Sequence, residues 1–244
     1  MVAIELEKRD RVALVYLPEG ENRHNPEFLA AFNHVLDAIE DEQDVQALVL
    51  SSKDDKNWSL GLDTDWLIQA CQAHQEQDIR ALLLGLIQLL KRLLSFPVPV
   101  IAAINGHAYG NGAVLACACD FRFMRSDRGY FCFPEVNVGV PFFPSMFELI
   151  ERVMPSSLFN RMLHTGERQD AKTLLSHGVI EQAVVGHGET IEQALAFATQ
   201  FDKPRWVFAE NKRRRYRPVF DAMEKYDPQA TEYLIFALAQ QYRS

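Results

Sequence analysis

The chain has 244 residues, 48% of them apolar and 24% charged, which suits one large globular domain or a core with an appendage. Its formal net charge of −8 argues against nucleic acid as a main partner, because phosphate-binding surfaces are basic overall. The most apolar run, residues 81–90, is closed by Lys91 and Arg92. It falls far short of the roughly 20 residues a membrane span needs, so it is expected to be a core helix.

In chain order, residues 2–7 and 11–17 alternate as two strands about the turn Lys8-Arg9-Asp10, with no leader expected ahead of them. Residues 26–43 place Phe28, Leu29, Phe32, Val35, Leu36 and Ile39 at helical spacing, with Asn25 as N-cap and Pro26 in the first turn. A buried strand over 47–52 follows, then a polar loop, then a helix over 78–95. Val98 to Ile104 reads as a second buried strand, leading through Asn105, Gly106, Gly110 and Gly112 into a short apolar helix and a strand from Asp120. After residue 141 the pattern is helical over 144–154, 156–164, 170–177, 189–201, 204–225 and 228–242, with a short strand at 181–185. Periodicity alone therefore predicts a mixed α/β fold.

The stretch from residue 97 to 124 is the most informative. Glycines at the mouth of a helix let the backbone pass close to a ligand, and the first N–H groups of the helix point at it. Such a helix start suits an anion or a developing oxyanion. A ligand-free strand-to-helix turn would use the same residues. Downstream, Glu135 is a lone carboxylate among Phe131, Cys132, Phe133, Pro134 and Val136. Burial there would raise its pKa toward neutrality and suit it to proton transfer. Strand alternation aiming it at solvent is the competing possibility.

Three ordered segments, spanning roughly residues 20 to 185, resemble the crotonase (enoyl-CoA hydratase/isomerase) family. Ser59-Leu60-Gly61-Leu62-Asp63 matches its Ser/Ala-Ala-Gly-Ala-Asp loop, Val100 to Gly112 its strand and glycine-rich helix start, and Pro134, Glu135, Val136 and Gly139 its Pro-Glu segment. The resemblance implies an α/β spiral of ββα units over 1–185, with a helical region over 186–244 for oligomerisation and site cover. It also implies a homotrimer or dimer of trimers, an acyl-CoA thioester substrate, and no cofactor beyond the CoA of the substrate.

Carried onto this chain, the resemblance implies oxyanion donors at the backbone N–H groups of Leu60 and Asn111, where the family has small residues. It implies Glu135 as the acid–base group. Trp58, Ser59, Gly61, Leu62, Gly110 and Phe142 are expected to contact substrate, and Arg23 to meet a CoA phosphate. Phe142 and Phe143 read equally well as an acyl-chain wall or as a staple into the core. Hydratases carry a second glutamate where this chain has Val114, and water addition uses two carboxylates. With one, the expected reaction is isomerisation of 3-enoyl-CoA to 2-enoyl-CoA. The alternatives are a hydratase or another crotonase-type lyase or hydrolase, and a catalytically weak binding protein.

Other residues are read structurally. Asp63 is an expected N-cap, Asp65 a first-turn charge and Asp120 a structural acceptor. Cys71, Cys117, Cys119 and Cys132 have no metal spacing and read as buried thiols of a cytoplasmic protein. His107 lies nearest the candidate site, whereas His24, His34, His74, His164, His177 and His187 show no metal pattern. The basic run Lys212 to Arg217 fits a solvated helix face, a CoA phosphate site or an RNA contact.

Overall fold

Strand Ala47–Ser52 is buried along its whole length and has parallel partners on both sides, Val12–Leu17 and Val100–Ile104. A strand with two buried faces needs a continuous apolar run, which Ala47 to Leu50 supplies. The computed structural model describes residues 3–242. Within them this strand belongs to a six-stranded sheet ordered Glu5–Arg9, Val12–Leu17, Ala47–Ser52, Val100–Ile104, Phe121–Arg125, Gln182–Val184. The first pair is an antiparallel hairpin, turned at Asp10 with φ 53°, and the later pairs are parallel.

Alternate residues of these strands serve two cores. Val15, Leu48, Leu50, Val100 and Ala102 face the large core with the helices Pro26–Asp41 and Glu76–Leu94. Leu14, Ala47, Val49, Ile101 and Ala103 face the helix His187–Ala198 through Ile191 and Ala194. The period-2 pleat is what divides them.

Two smaller pairings position the site. A four-stranded sheet runs Arg168–Gln169, Phe131–Cys132, His107–Tyr109, Asn57–Ser59. Beside it, Arg23–His24 pairs in parallel with Gly61–Leu62. The strand His107–Tyr109 occupies what the sequence suggests is a plain turn, and the helix behind it starts at Asn111 and runs to Ala118.

The expected caps are present: Asn25 accepts from the Phe28 N–H at 3.0 Å, and Asp63 from the Trp66 N–H at 3.1 Å. The single helix expected over 204–225 is two, Arg205–Arg215 and Arg217–Lys225, hinged at Tyr216. Pro218 is the cause, since it has no N–H and its ring clashes with the preceding turn.

The basic run also divides. Lys212 is buried and donates to Asp120 at 2.7 Å, while Arg214 and Arg217 are exposed and pair with Glu210 and Asp221 on their own helices. Lys212 is therefore not part of a solvated face. Asp120 also accepts from the Val100 N–H at 2.8 Å, holding the start of that strand.

The last helix, Asp227–Tyr242, is fixed by the buried carboxylate of Asp227, which accepts from the backbone N–H and hydroxyl of Ser145. Trp206, Tyr233 and Phe236 stay exposed in the single chain. Among the described residues no helix is long and apolar enough to cross a membrane.

Candidate active site

A cavity of about 300 Å³ lies where the Leu60 loop, the Asn111 helix start and the Glu135 turn meet. Its walls are mainly aliphatic and aromatic, with Leu83 and Leu86 from the long helix and Leu234 from the last one. Seven of the ten residues expected to act on or contact substrate line it: Arg23, Leu60, Leu62, Gly110, Asn111, Glu135 and Phe142.

Glu135 opens a single helical turn, Glu135–Val138, closed by Gly139 in the left-handed conformation. This turn replaces strand alternation at that point and brings the carboxyl inward. Its Oε2 is buried without a hydrogen-bond partner. Burial pushes the pKa up to about 8, offset only in part by a hydrogen bond from the residue's own backbone N–H. Among the described residues Glu135 is the one carboxylate on the cavity wall. Gly110 makes room for it: a Cβ there would stand 3.4 Å from Oε1, on a backbone with φ +54°.

The two expected oxyanion donors differ in state. Asn111 is the first residue of its helix, so its N–H has no intrahelical acceptor. The Leu60 N–H, in contrast, is not free: it donates to the Glu21 carbonyl at 2.9 Å. That N–H is occupied by the chain itself. The physical reason is the Arg23–Gly61 register, which draws the preceding Glu21 carbonyl against Leu60.

Three expected contact residues do not line the cavity. The Trp58 indole is fully buried in the core and donates to the Leu50 carbonyl at 3.3 Å. Ser59 is fully buried, and its hydroxyl lies 2.8 Å from the Asn22 carbonyl, 2.9 Å from His24 Nε2 and 3.2 Å from the Gly61 N–H. Gly61 is packed so that a Cβ would come within 2.6 Å of the Asn111 nitrogen and the Tyr109 carbonyl oxygen. Trp58, Ser59 and Gly61 thus shape the loop from behind.

Arg23 reaches the cavity rim already paired, with Asp65 at 2.6 Å and Glu21 at 2.6 Å. Asp65 is thereby more than a first-turn charge. Phe142 both lines the cavity and joins an edge-to-face cluster with Phe133, Phe147 and Phe159, so its two readings hold together. Val114 is fully buried and off the cavity wall.

The histidine whose ring is hydrogen-bonded to a cavity residue is His24, behind the wall, and not His107. His107 lies between Tyr109 and Tyr130 and accepts from the Tyr130 N–H at 3.2 Å. His24 is fully buried, stacked on Phe28 at 4.4 Å, and its Nδ1 lies 2.8 Å from Asn111 Nδ2. Burial pushes its pKa down to about 3, so it is neutral. Its place directly before the N-cap Asn25 was the one local signal available.

The site has the form of an acyl-transfer or proton-transfer pocket: apolar walls, one unpaired carboxyl and a helix start. The family model for enoyl-CoA hydratase/isomerase matches residues 7–232. The chain belongs to that family and has the crotonase fold. It is 26% identical over 217 residues to enoyl-CoA delta isomerase 3 of Arabidopsis thaliana, covering 86% of this chain and 91% of that one. It is 30% identical over 206 residues to a putative enoyl-CoA hydratase of Thermus thermophilus, covering 83% and 78%. The fold superposes on human mitochondrial delta3-delta2-enoyl-CoA isomerase with a TM-score of 0.87 at 18% identity, over 98% of this chain and 93% of that one.

Proposed function

We propose that this chain isomerises 3-enoyl-CoA thioesters to 2-enoyl-CoA thioesters, with Glu135 as the single proton carrier. The carrying observation is that Glu135 is the one carboxylate on the cavity wall among the described residues, while Val114 stands in the apolar core. In this reading the Glu135 carboxylate takes a proton from C2, the electron pair spreads through the dienolate onto the thioester oxygen, and the same proton returns at C4. Charge on that oxygen is met by the Asn111 N–H, in a site where low dielectric strengthens the contact. The Leu60 N–H joins it when the Glu21 carbonyl gives way. A carboxyl with a pKa near 8 is a strong enough base to take the α-proton and a strong enough acid to return it. The acyl chain lies against Leu83, Leu86, Phe142 and Leu234, and the CoA moiety leaves past Arg23.

Relatives named as isomerases and as hydratases both support the class. Hydration needs water held and activated by a second group, and Val114 offers none. The test is a spectrophotometric comparison of 3-hexenoyl-CoA isomerisation with 2-hexenoyl-CoA hydration. Faster isomerisation supports the reading, and faster hydration removes it.

A further inference from the structure

The cluster around His24 has a determined hydrogen-bond direction. The Ser59 hydroxyl has one proton, and the Asn22 carbonyl at 2.8 Å can only accept it. Ser59 Oγ must then accept from its other two neighbours, the Gly61 N–H and His24 Nε2. An imidazole that donates from Nε2 and is neutral presents a lone pair at Nδ1. Nδ1 therefore accepts from Asn111 Nδ2 at 2.8 Å. The amide of Asn111 is left with one orientation: its NH₂ turns to His24, and its buried Oδ1 has no partner. Rotating the amide would set Oδ1 against the Nδ1 lone pair.

We propose that His24 is a positioning residue of this site: as the neutral Nε2–H tautomer it ties the Ser59 loop to the Asn111 helix start and locks the Asn111 amide in one orientation. Two consequences follow for the reacting group. The spacing between the Leu60 loop and the Asn111 backbone N–H is set by a rigid, fully buried ring stacked on Phe28. One of the two Asn111 amide protons is held by His24 Nδ1, which fixes that side chain in one orientation beside its own backbone N–H. A released amide would loosen the helix start that carries the Asn111 N–H, and misplacement on the order of 1 Å costs about a hundredfold in rate.

Two measurements test this, and the kinetic one rests on the isomerase reading. Ring-¹⁵N NMR of the wild-type protein should show His24 as a neutral Nε2–H tautomer from pH 8 to pH 5. An Nδ1–H tautomer, or titration within that range, overturns the proposal whatever the protein catalyses. In the assay with 3-hexenoyl-CoA, His24→Leu should lower kcat on the order of tenfold with KM changed less than about twofold, the pattern of a contact that matters mainly in the transition state. His24→Asn, whose Oδ1 can stand in for Nδ1, should recover most of the loss. Full kcat in His24→Leu, or no recovery in His24→Asn, overturns it. A wild-type protein with no isomerase activity strikes the isomerase reading alone, and the NMR result then decides the tautomer lock.

Discussion

The Leu60 N–H and the Glu21 carbonyl are joined at 2.9 Å on the margin of the cavity that Glu135 enters. In the proposed reaction this N–H is one of two backbone donors for the substrate oxygen, and the chain's own carbonyl holds it. Binding of a thioester should exchange that partner for the substrate oxygen. In a crystal structure with butyryl-CoA, the Leu60 N to Glu21 O distance should exceed about 3.5 Å, beyond hydrogen-bond range. A bound thioester with the Leu60–Glu21 bond intact would leave Asn111 as the sole backbone donor.

Burial pushes the Glu135 carboxyl from an ordinary value of 4.5 up to about 8. A carboxyl raised in the folded state favours folding below its unfolded pKa, and that contribution is lost as pH rises through the folded pKa. Between pH 5 and pH 8.5 the wild-type protein should therefore lose stability relative to Glu135→Gln, by ~2–4 kcal/mol in chemical denaturation. In the same interval kcat/KM should rise with a midpoint near pH 8, as the base form appears. Denaturation curves of the two proteins that keep a constant separation would contradict the unpaired burial of Glu135.

Much of this site is legible in sequence because its parts are local. The Ser59 to Asp63 loop, the Asn111 helix start and the Pro134-Glu135 turn are each short segments whose conformation is set by their own glycines, caps and apolar neighbours. What joins them is not local. His24 reaches Asn111 across 87 positions, through a two-residue strand pairing too short to leave a periodic signal. Lys212 reaches Asp120 across 92 positions, so a residue inside a basic run turns out buried. The use of the Leu60 N–H by Glu21 depends on a register between loops, which no spacing encodes. The helix break at Tyr216 was readable, since Pro218 forbids continuation.

Arg23 sits between Glu21 and Asp65 with its side chain 31% exposed. Losing so exposed a pair should cost the fold under about 1 kcal/mol. In the proposed role it must exchange a carboxylate for a CoA phosphate. Arg23→Ala should weaken binding of a non-reacting CoA thioester by about 1–2 kcal/mol. Asp65→Asn, which releases the guanidinium, should tighten binding. Calorimetry showing both variants equal to wild type would remove Arg23 from the substrate contacts.

Val114 is fully buried in the helix Asn111–Ala118 and is not part of the cavity wall. A glutamate there would be an unpaired carboxylate in the core, at a cost of about 3–5 kcal/mol. Val114→Glu should fall in thermal stability and gain no hydratase activity. A stable variant that hydrates 2-hexenoyl-CoA would show that the helix start can present position 114 to substrate.

The central claim, a single-carboxylate proton shuttle, is tested most directly by the ratio of 3-hexenoyl-CoA isomerisation to 2-hexenoyl-CoA hydration, measured in wild type and in Glu135→Gln. The account predicts a wild-type ratio well above one. It also predicts that isomerisation in Glu135→Gln falls by about two to four orders of magnitude, the worth of a positioned acid–base group, while thioester binding persists. A wild-type ratio below one, or full isomerisation by Glu135→Gln, would contradict it.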